Sequence, residues 1–389
     1  MIEINFYWKR ILLLSLLLFS IVGIAFVQLY SNQFIGEEKG FALFSQQLLQ
    51  NGQLYFREAG FQGATLAGLP LAIIGINHSF IIINLLGNIL SIGLIYILIQ
   101  KIYKNENYAY IGVLLYCLMP WILFNGLKGY TNGFYHFTLL LTLYLLTTNS
   151  KWTLLAFTFS LLTKPLSIVL LPIFFKQKKM KTYFLGLGIL IVYLTIQQLV
   201  NGDVVIGVHK SMDASNFFSI TRSFINIFTI PPLLFSMHNF LAFSPELTTY
   251  SDMLETTPII IYAAIFSSAY LKETKSNPFY GAFLLSSIGS VIITIFWPYI
   301  NTVYLETFIF FAVIFSVPFL IKYPLFGWLA IGTSLYQYLY FFLQEKVLGF
   351  NIWGDKTYII FIIPIVVTIL FIEWQIKQLN SAGKIPKIW

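Results

Sequence analysis

Charged residues and cysteine are both scarce in this chain, and each scarcity limits what the protein can be. Of the 389 residues only 10% are charged, whereas 58% are hydrophobic and 18% are aromatic. Soluble domains carry far more charge than this. The one cysteine, Cys117, lies within an apolar run, so it forms no disulfide inside the chain and does not indicate a redox compartment.

Several familiar catalytic and binding motifs are also missing from the sequence. It has no glycine-rich phosphate-binding loop, no nucleophile elbow and no cluster of His and Cys. His78, His136 and His238 are scattered without the spacing of metal ligands, so we interpret each as a polar interfacial residue. We therefore expect neither a bound metal nor a cofactor.

Long apolar runs, by contrast, are abundant. Stretches such as "ILLLSLLLFSIVGIAFVQLY" approach the roughly 20 residues that a helix needs to cross a bilayer. We predict an all-α polytopic membrane protein, a single domain over residues 1–389 with about 12 transmembrane or re-entrant helices. The predicted segments are 11–30, 80–100, 108–124, 133–149, 152–163, 165–175, 182–200, 257–271, 279–297, 303–321, 325–343 and 357–373.

Two of these segments, 152–163 and 165–175, are too short to cross a membrane alone. They form one apolar stretch interrupted by "TKP", where Pro165 breaks the helix. If they are two half-spans, the lysine-rich loop "KQKKMK" lies on the inner face, as the positive-inside rule requires. A single span would put that loop outside.

The net charge of +8 reflects this orientation and does not indicate a nucleic-acid partner. We expect a multi-pass plasma-membrane protein with both termini in the cytoplasm and the segment after Lys9 and Arg10 retained as a span. Two long loops, 31–79 and 201–256, then face outward. Within the first, "ATLAGLPLAIIGI" is too short to span and is predicted to be interfacial. Loops of this length are commonly functional.

The first outer loop begins with an acidic pair, Glu37 and Glu38. Apolar residues follow at helical spacing, so residues 37–51 are predicted to form an amphipathic helix on the membrane surface. Glu37 shares the stripe of Phe41 and Phe44, and an apolar setting suits a carboxylate to base chemistry. The alternative is that the pair only complements the helix dipole.

The candidate phosphate-binding residues are basic residues in two places. Lys164 stands at the break between the two half-spans, where an ionisable residue is costly and therefore indicates function. The other three are His209, Lys210 and Arg222, in the second outer loop. The alternatives are that Lys164 extends its ammonium to the interface and that the loop cations are simply solvated.

The order of these elements resembles that of the type C glycosyltransferases. The resemblance rests on an N-terminal span, the acidic pair in "GEEKGFALFSQQLLQNGQLY", the "LLTKPLSIVLLPIFF" stretch after the fourth span, and the late "FWPYINTVYLETFIFF". The most similar pattern is that of the protein mannosyltransferases and the lipid A aminoarabinose transferase. In them the first acid of the pair is a catalytic Asp, whereas Glu37 stands here.

This resemblance implies transfer of a sugar from a polyprenyl-phosphate donor to a lipid, glycan or protein acceptor on the outer side of the membrane. Glu37 would be the base and Glu38 would position the acceptor, with inversion of the anomeric centre. Metal-dependent relatives place further acids in later outer loops, but "FNGLKGYTNGF" has none, so we expect a metal-independent reaction.

Two other functions stay open at the level of sequence. A polymerase or ligase that uses polyprenyl-diphosphate sugars would depend on His209 and Arg222 and would not need Glu37. A lipid or solute transporter would show paired charges at mid-membrane or related halves, and neither is found.

Overall fold

The structure is a computed structural model that describes residues 63–75, 79–118, 132–201, 268, 271–272, 278–296, 306–329, 331–332 and 362–381. Every regular element in these residues is helical, which confirms the all-α prediction for this part of the chain. The helices are α1 Gly63–Ile73, α2 Ser79–Tyr103, α3 Glu106–Leu118, α4 Asn132–Thr147, α5 Thr153–Thr163, a 3₁₀ helix Pro165–Leu170, α6 Leu171–Lys176, α7 Met180–Asn201, α8 Pro278–Phe296, α9 Glu306–Lys322 and α10 Ile362–Ser381.

Apolar helices dominate this part of the chain. Within it one helix, over Ile82–Tyr103, is long and apolar enough to cross a membrane, with 22 residues and a mean hydropathy of 2.3. Shorter apolar helices accompany it, among them Pro165–Lys176 and Phe310–Lys322. Length and composition therefore support membrane association, which is the coarser form of the sequence prediction.

The predicted interruption at "TKP" is present. Helix α5 ends at Thr163, and Lys164 takes an extended conformation with φ −148° and ψ 121°. Pro165 then begins the 3₁₀ helix. The cause is local, because a proline ring pushes the preceding residue out of the helical region and a proline fits the first position of a new helix.

The chain reverses direction at this break. The hydroxyl oxygens of Ser160 and Ser167 lie 2.5 Å apart, and the rings of Phe157 and Phe174 lie 4.6 Å apart between centroids. Helix α5 therefore runs antiparallel to the 3₁₀ helix and α6, and we call residues 153–176 the hairpin. Helix α7 packs against the hairpin, and its Tyr183 hydroxyl donates a hydrogen bond to the Ile168 carbonyl at 2.7 Å.

Helix α4 packs between α2 and the hairpin. A Cβ at Gly133 would clash with the backbone carbonyl of Asn84, and one at Gly87 would clash with the backbone of Gly133. Only glycines at these positions allow so close a crossing. Close packing through small residues is a common way for helices to associate in membranes. The crossing fixes the first turn of α4 against α2.

The segment predicted to be interfacial forms α1, whose first turn packs inside the bundle because Ala64 is 0% exposed and Gly63 abuts Thr163. Its position at the membrane surface stays a prediction. One predicted boundary needs correction. The last helix does not end near residue 373 but continues to Ser381. It continues because Trp374 is itself buried and packs on Phe371 at 5.5 Å between ring centroids.

Candidate functional site at the hairpin tip

Lys164 lies at the tip of the hairpin, beside the first turn of α4. Its Nζ atom is 5.3 Å from the centroid of the Tyr135 ring, and Tyr135 is completely buried. Lys164 itself is half-buried. A cation at this distance from an aromatic face is attracted by the ring quadrupole. The contact holds the ammonium group near the start of α4.

The start of α4 adds a second positive element. The backbone N–H groups of a first helical turn have no partner within the helix and carry the positive end of its dipole. Asn84 of α2 satisfies one of them, because its Oδ1 accepts the Phe134 N–H at 3.1 Å. Lys164 and this turn therefore favour an anion at the same end of the bundle.

Asn88 is a polar residue that sequence reasoning missed. It is 0% exposed, and neither its Oδ1 nor its Nδ2 has a hydrogen-bond partner. Its Cγ is 3.2 Å from the position of a Cβ at Gly133, so the amide lies against the first turn of α4. A buried unpaired amide costs about 1–3 kcal/mol. The sequence feature that indicates this residue is a pair of asparagines, Asn84 and Asn88, one helical turn apart within an apolar run.

The hydroxyl groups near the tip are engaged within the hairpin. Ser160 and Ser167 hydrogen-bond each other across it, and Thr163 donates to the Phe159 carbonyl at 2.7 Å. All three hydroxyl residues are buried. They stabilise the reversal that presents Lys164, and we assign them no direct role toward a ligand.

His136 differs from its sequence interpretation as an interfacial residue. It is 0% exposed, because α3 and α9 both pack over it. Its Nδ1 lies 3.5 Å from the Tyr116 hydroxyl, and the Phe310 ring meets its imidazole edge-on at 4.7 Å between centroids. Within the described ranges, no three His, Cys, Asp or Glu side chains are grouped closely enough to hold a metal ion.

Of the predicted site residues, only Lys164 is in the part of the chain that the structure describes. The acidic pair, Glu37 and Glu38, lies outside the described residues. The three basic residues of the second outer loop, His209, Lys210 and Arg222, lie outside them too. The predicted amphipathic helix over 37–51 also lies outside the described residues. The catalytic assignment therefore stays a prediction.

Comparison with known proteins adds no assignment to this geometry. The chain matches no protein-family model, no curated protein and no solved structure.

Proposed function

We propose that this protein is an integral-membrane glycosyltransferase that moves a sugar from a polyprenyl-phosphate donor to an acceptor on the outer side of the membrane. The observation that carries the proposal is the position of Lys164. It is half-buried at a chain reversal among apolar helices, with its Nζ over Tyr135 at the start of α4.

This position suits the phosphate of a lipid-linked donor. A lysine among apolar helices is costly and is retained where its charge is needed. A phosphate there meets both the ammonium and the positive end of α4. Ile168 and Leu171 are each 41% exposed just beyond the tip, so an apolar surface adjoins the charge, as a polyprenyl chain requires.

The reaction is a direct displacement at the anomeric carbon. The acceptor hydroxyl oxygen bonds to that carbon while the bond between the carbon and the phosphate oxygen breaks. The electron pair leaves on the phosphate, giving polyprenyl phosphate, and Lys164 stabilises the added charge. Glu37 takes the hydroxyl proton as general base, and Glu38 positions the acceptor. The anomeric centre inverts.

The remaining predicted cations complete the proposed donor site. His209, Lys210 and Arg222 belong to the second outer loop, and an arginine binds phosphate oxygens in pairs. In this arrangement the hairpin holds the donor from the membrane side and the loop holds it from the aqueous side. No metal or cofactor takes part in the proposed reaction.

The proposed topology has about 12 transmembrane or re-entrant segments with both termini in the cytoplasm. The hairpin enters from the inner face and its tip points outward. In a variant lacking Cys117, a single cysteine at Ser150 or at Gln177 should be shielded from an impermeant reagent applied outside. Outside labelling at one of the two positions and not the other would contradict the re-entrant hairpin.

The direct test is incubation of the purified chain with radiolabelled sugar donors. We expect label to leave a polyprenyl-monophosphate sugar, with polyprenyl phosphate as the second product. A panel that includes polyprenyl-diphosphate sugars separates this reaction from that of a polymerase or ligase. Turnover of the diphosphate donors alone, or of none of the donors, would overturn the proposal.

A further inference from the structure

The end of the hairpin opposite Lys164, which we call the base, is strongly basic. Its lysines are Lys151, Lys176, Lys178, Lys179 and Lys181. Lys151 precedes α5. Lys176 is the last residue of α6, Lys178 and Lys179 connect α6 to α7, and Lys181 is in the first turn of α7. Because α5 runs antiparallel to the 3₁₀ helix and α6, the start of α5 and the connection between α6 and α7 lie at the same end. Among the residues that the structure describes, no acidic side chain pairs with any of these lysines.

One of these lysines occupies a position that normally belongs to glycine. Lys178 has a φ of 54°, in the left-handed region. Its N–H donates to the Phe175 carbonyl at 3.0 Å, and the next N–H, of Lys179, donates to the Phe174 carbonyl at 2.9 Å. This pair of bonds is the Schellman motif, in which glycine avoids the steric strain that a Cβ introduces.

A second lysine also has a left-handed φ at the same end of the bundle. Lys104, the residue after α2, has a φ of 51° and donates its N–H to the Gln100 carbonyl at 2.7 Å, the single hydrogen bond of the αL motif. The carboxyl ends of α2 and α4 lie together, because Lys101 Nζ is 5.5 Å from the centroid of the Tyr144 ring. At both positions a lysine takes a conformation that is strained for any residue other than glycine, and such strain is found at functional positions.

Exposed aromatic rings flank the lysines of the base. Trp152 is 59% exposed and Phe175 is 72% exposed. Lys151 Nζ lies 5.7 Å from the centroid of the Trp152 ring. Aromatic rings mixed with lysines are typical of the level of lipid headgroups, where the ring is partly in the apolar layer and the cation meets phosphate.

We propose that the base is a binding site for the headgroups of anionic phospholipids in the leaflet at this end of the bundle. The lysines supply the charge complementarity. The exposed rings and the exposed side chains of Leu155 and Phe184 above them supply a surface for the acyl chains. The site is separate from the hairpin tip and does not depend on the proposed reaction.

The test is titration of the purified full-length chain in detergent with phosphatidylglycerol, phosphatidylcholine or inorganic phosphate. Lipid retention is read by native mass spectrometry and thermal stability by the unfolding midpoint. We expect phosphatidylglycerol alone to be retained and to raise the midpoint. Each lysine near a charged surface contributes about fivefold in affinity, so replacing Lys176, Lys178, Lys179 and Lys181 by Gln should weaken retention by about 10²- to 10³-fold.

A pair of glycine variants keeps the test valid if the fourfold variant fails to fold. Lys178→Gly removes one charge and also relieves the strained φ. Asn149→Gly relieves the same strain, since Asn149 lies in the turn after α4 with a φ of 57°, but it removes no charge. We expect both to keep or raise the unfolding midpoint without lipid, and only Lys178→Gly to weaken phosphatidylglycerol retention, by about fivefold.

Three outcomes would overturn the proposal. The first is equal retention of phosphatidylglycerol and phosphatidylcholine by the parent chain. The second is unchanged phosphatidylglycerol retention in Lys178→Gly, which would show that the charge of Lys178 does not contribute to lipid binding. The third is equal stabilisation by inorganic phosphate, which would assign the site to a soluble anion.

Discussion

The two ends of the hairpin use the same residue type in opposite ways. At the tip a single lysine, Lys164, is half-buried with its Nζ over the buried ring of Tyr135. At the base Lys176, Lys178 and Lys181 are exposed and follow one another closely in the chain. One placed charge can recognise one phosphate in a defined geometry, whereas a group of solvated charges attracts a charged surface. The tip therefore suits catalysis and the base suits anchoring.

The largest effect on turnover is expected from Glu37, the residue proposed to act together with Lys164 at the tip. Glu37→Gln keeps the size of the side chain and removes the proposed general base. General-base catalysis is worth typically 10²–10⁴-fold, so turnover should fall by about that factor. Donor binding should change little. Glu38→Gln is the matched comparison and should act mainly on acceptor affinity. Near-normal turnover in a well-folded Glu37→Gln enzyme would reduce the acidic pair to a helix-end charge.

The next effect concerns the tip itself. Lys164→Met keeps the apolar stem and removes the charge that we propose stabilises the leaving phosphate. Loss of one such group typically lowers kcat by about 10²- to 10³-fold, and we expect that loss in turnover assays. Lys179→Met, at the base, is the control and should retain turnover. Equal losses in the two variants would show that the difference between the ends is not functional.

The packing that places the tip can be tested through glycine. Gly133→Ala forces a Cβ against the Asn84 carbonyl, and overpacking of this kind costs about 1–3 kcal/mol. The unfolding midpoint should fall, and donor affinity should fall with it because the first turn of α4 moves. Gly188→Ala in α7 has open space around the new Cβ and should leave both quantities unchanged. A tolerated Gly133→Ala would mean that the α2–α4 crossing does not fix the tip.

The smallest expected effect is that of metal removal. The connection "FNGLKGYTNGF" holds no acidic residue, and in the proposed reaction Lys164 supplies a cation for the phosphate. Turnover measured after treatment with a chelator should equal that of the untreated enzyme. Loss of activity that Mg²⁺ or Mn²⁺ restores would instead make Glu37 and Glu38 candidate ligands.

The break at Lys164 could be predicted from sequence because its cause is local. A proline acts on the residue before it, and no distant contact is needed to know that the helix stops there. The approximate bounds of α2, α4 and α5 follow from apolar runs for the same reason. Each of these features depends on residues that are neighbours in the chain.

The surroundings of the tip could not be predicted in this way. The contact of Asn88 with the first turn of α4 depends on Gly87 and Gly133, which are distant in sequence and meet only when the helices cross. The burial of His136 depends likewise on Phe310, in a helix far along the chain. Polarity alone suggested an interface for His136, but packing by neighbouring helices put it in the core.

Direct binding of polyprenyl phosphate tests whether the hairpin tip holds the donor phosphate. The purified chain is reconstituted with excess phosphatidylglycerol, to saturate the lipid site proposed at the base of the hairpin, and titrated with labelled polyprenyl phosphate. A hydrogen bond to a charged group is worth about 1.5–3 kcal/mol, so Lys164→Met should weaken binding by about 10- to 100-fold while Lys179→Met binds as the parent does. Unchanged affinity in Lys164→Met would show that the hairpin tip does not hold the phosphate.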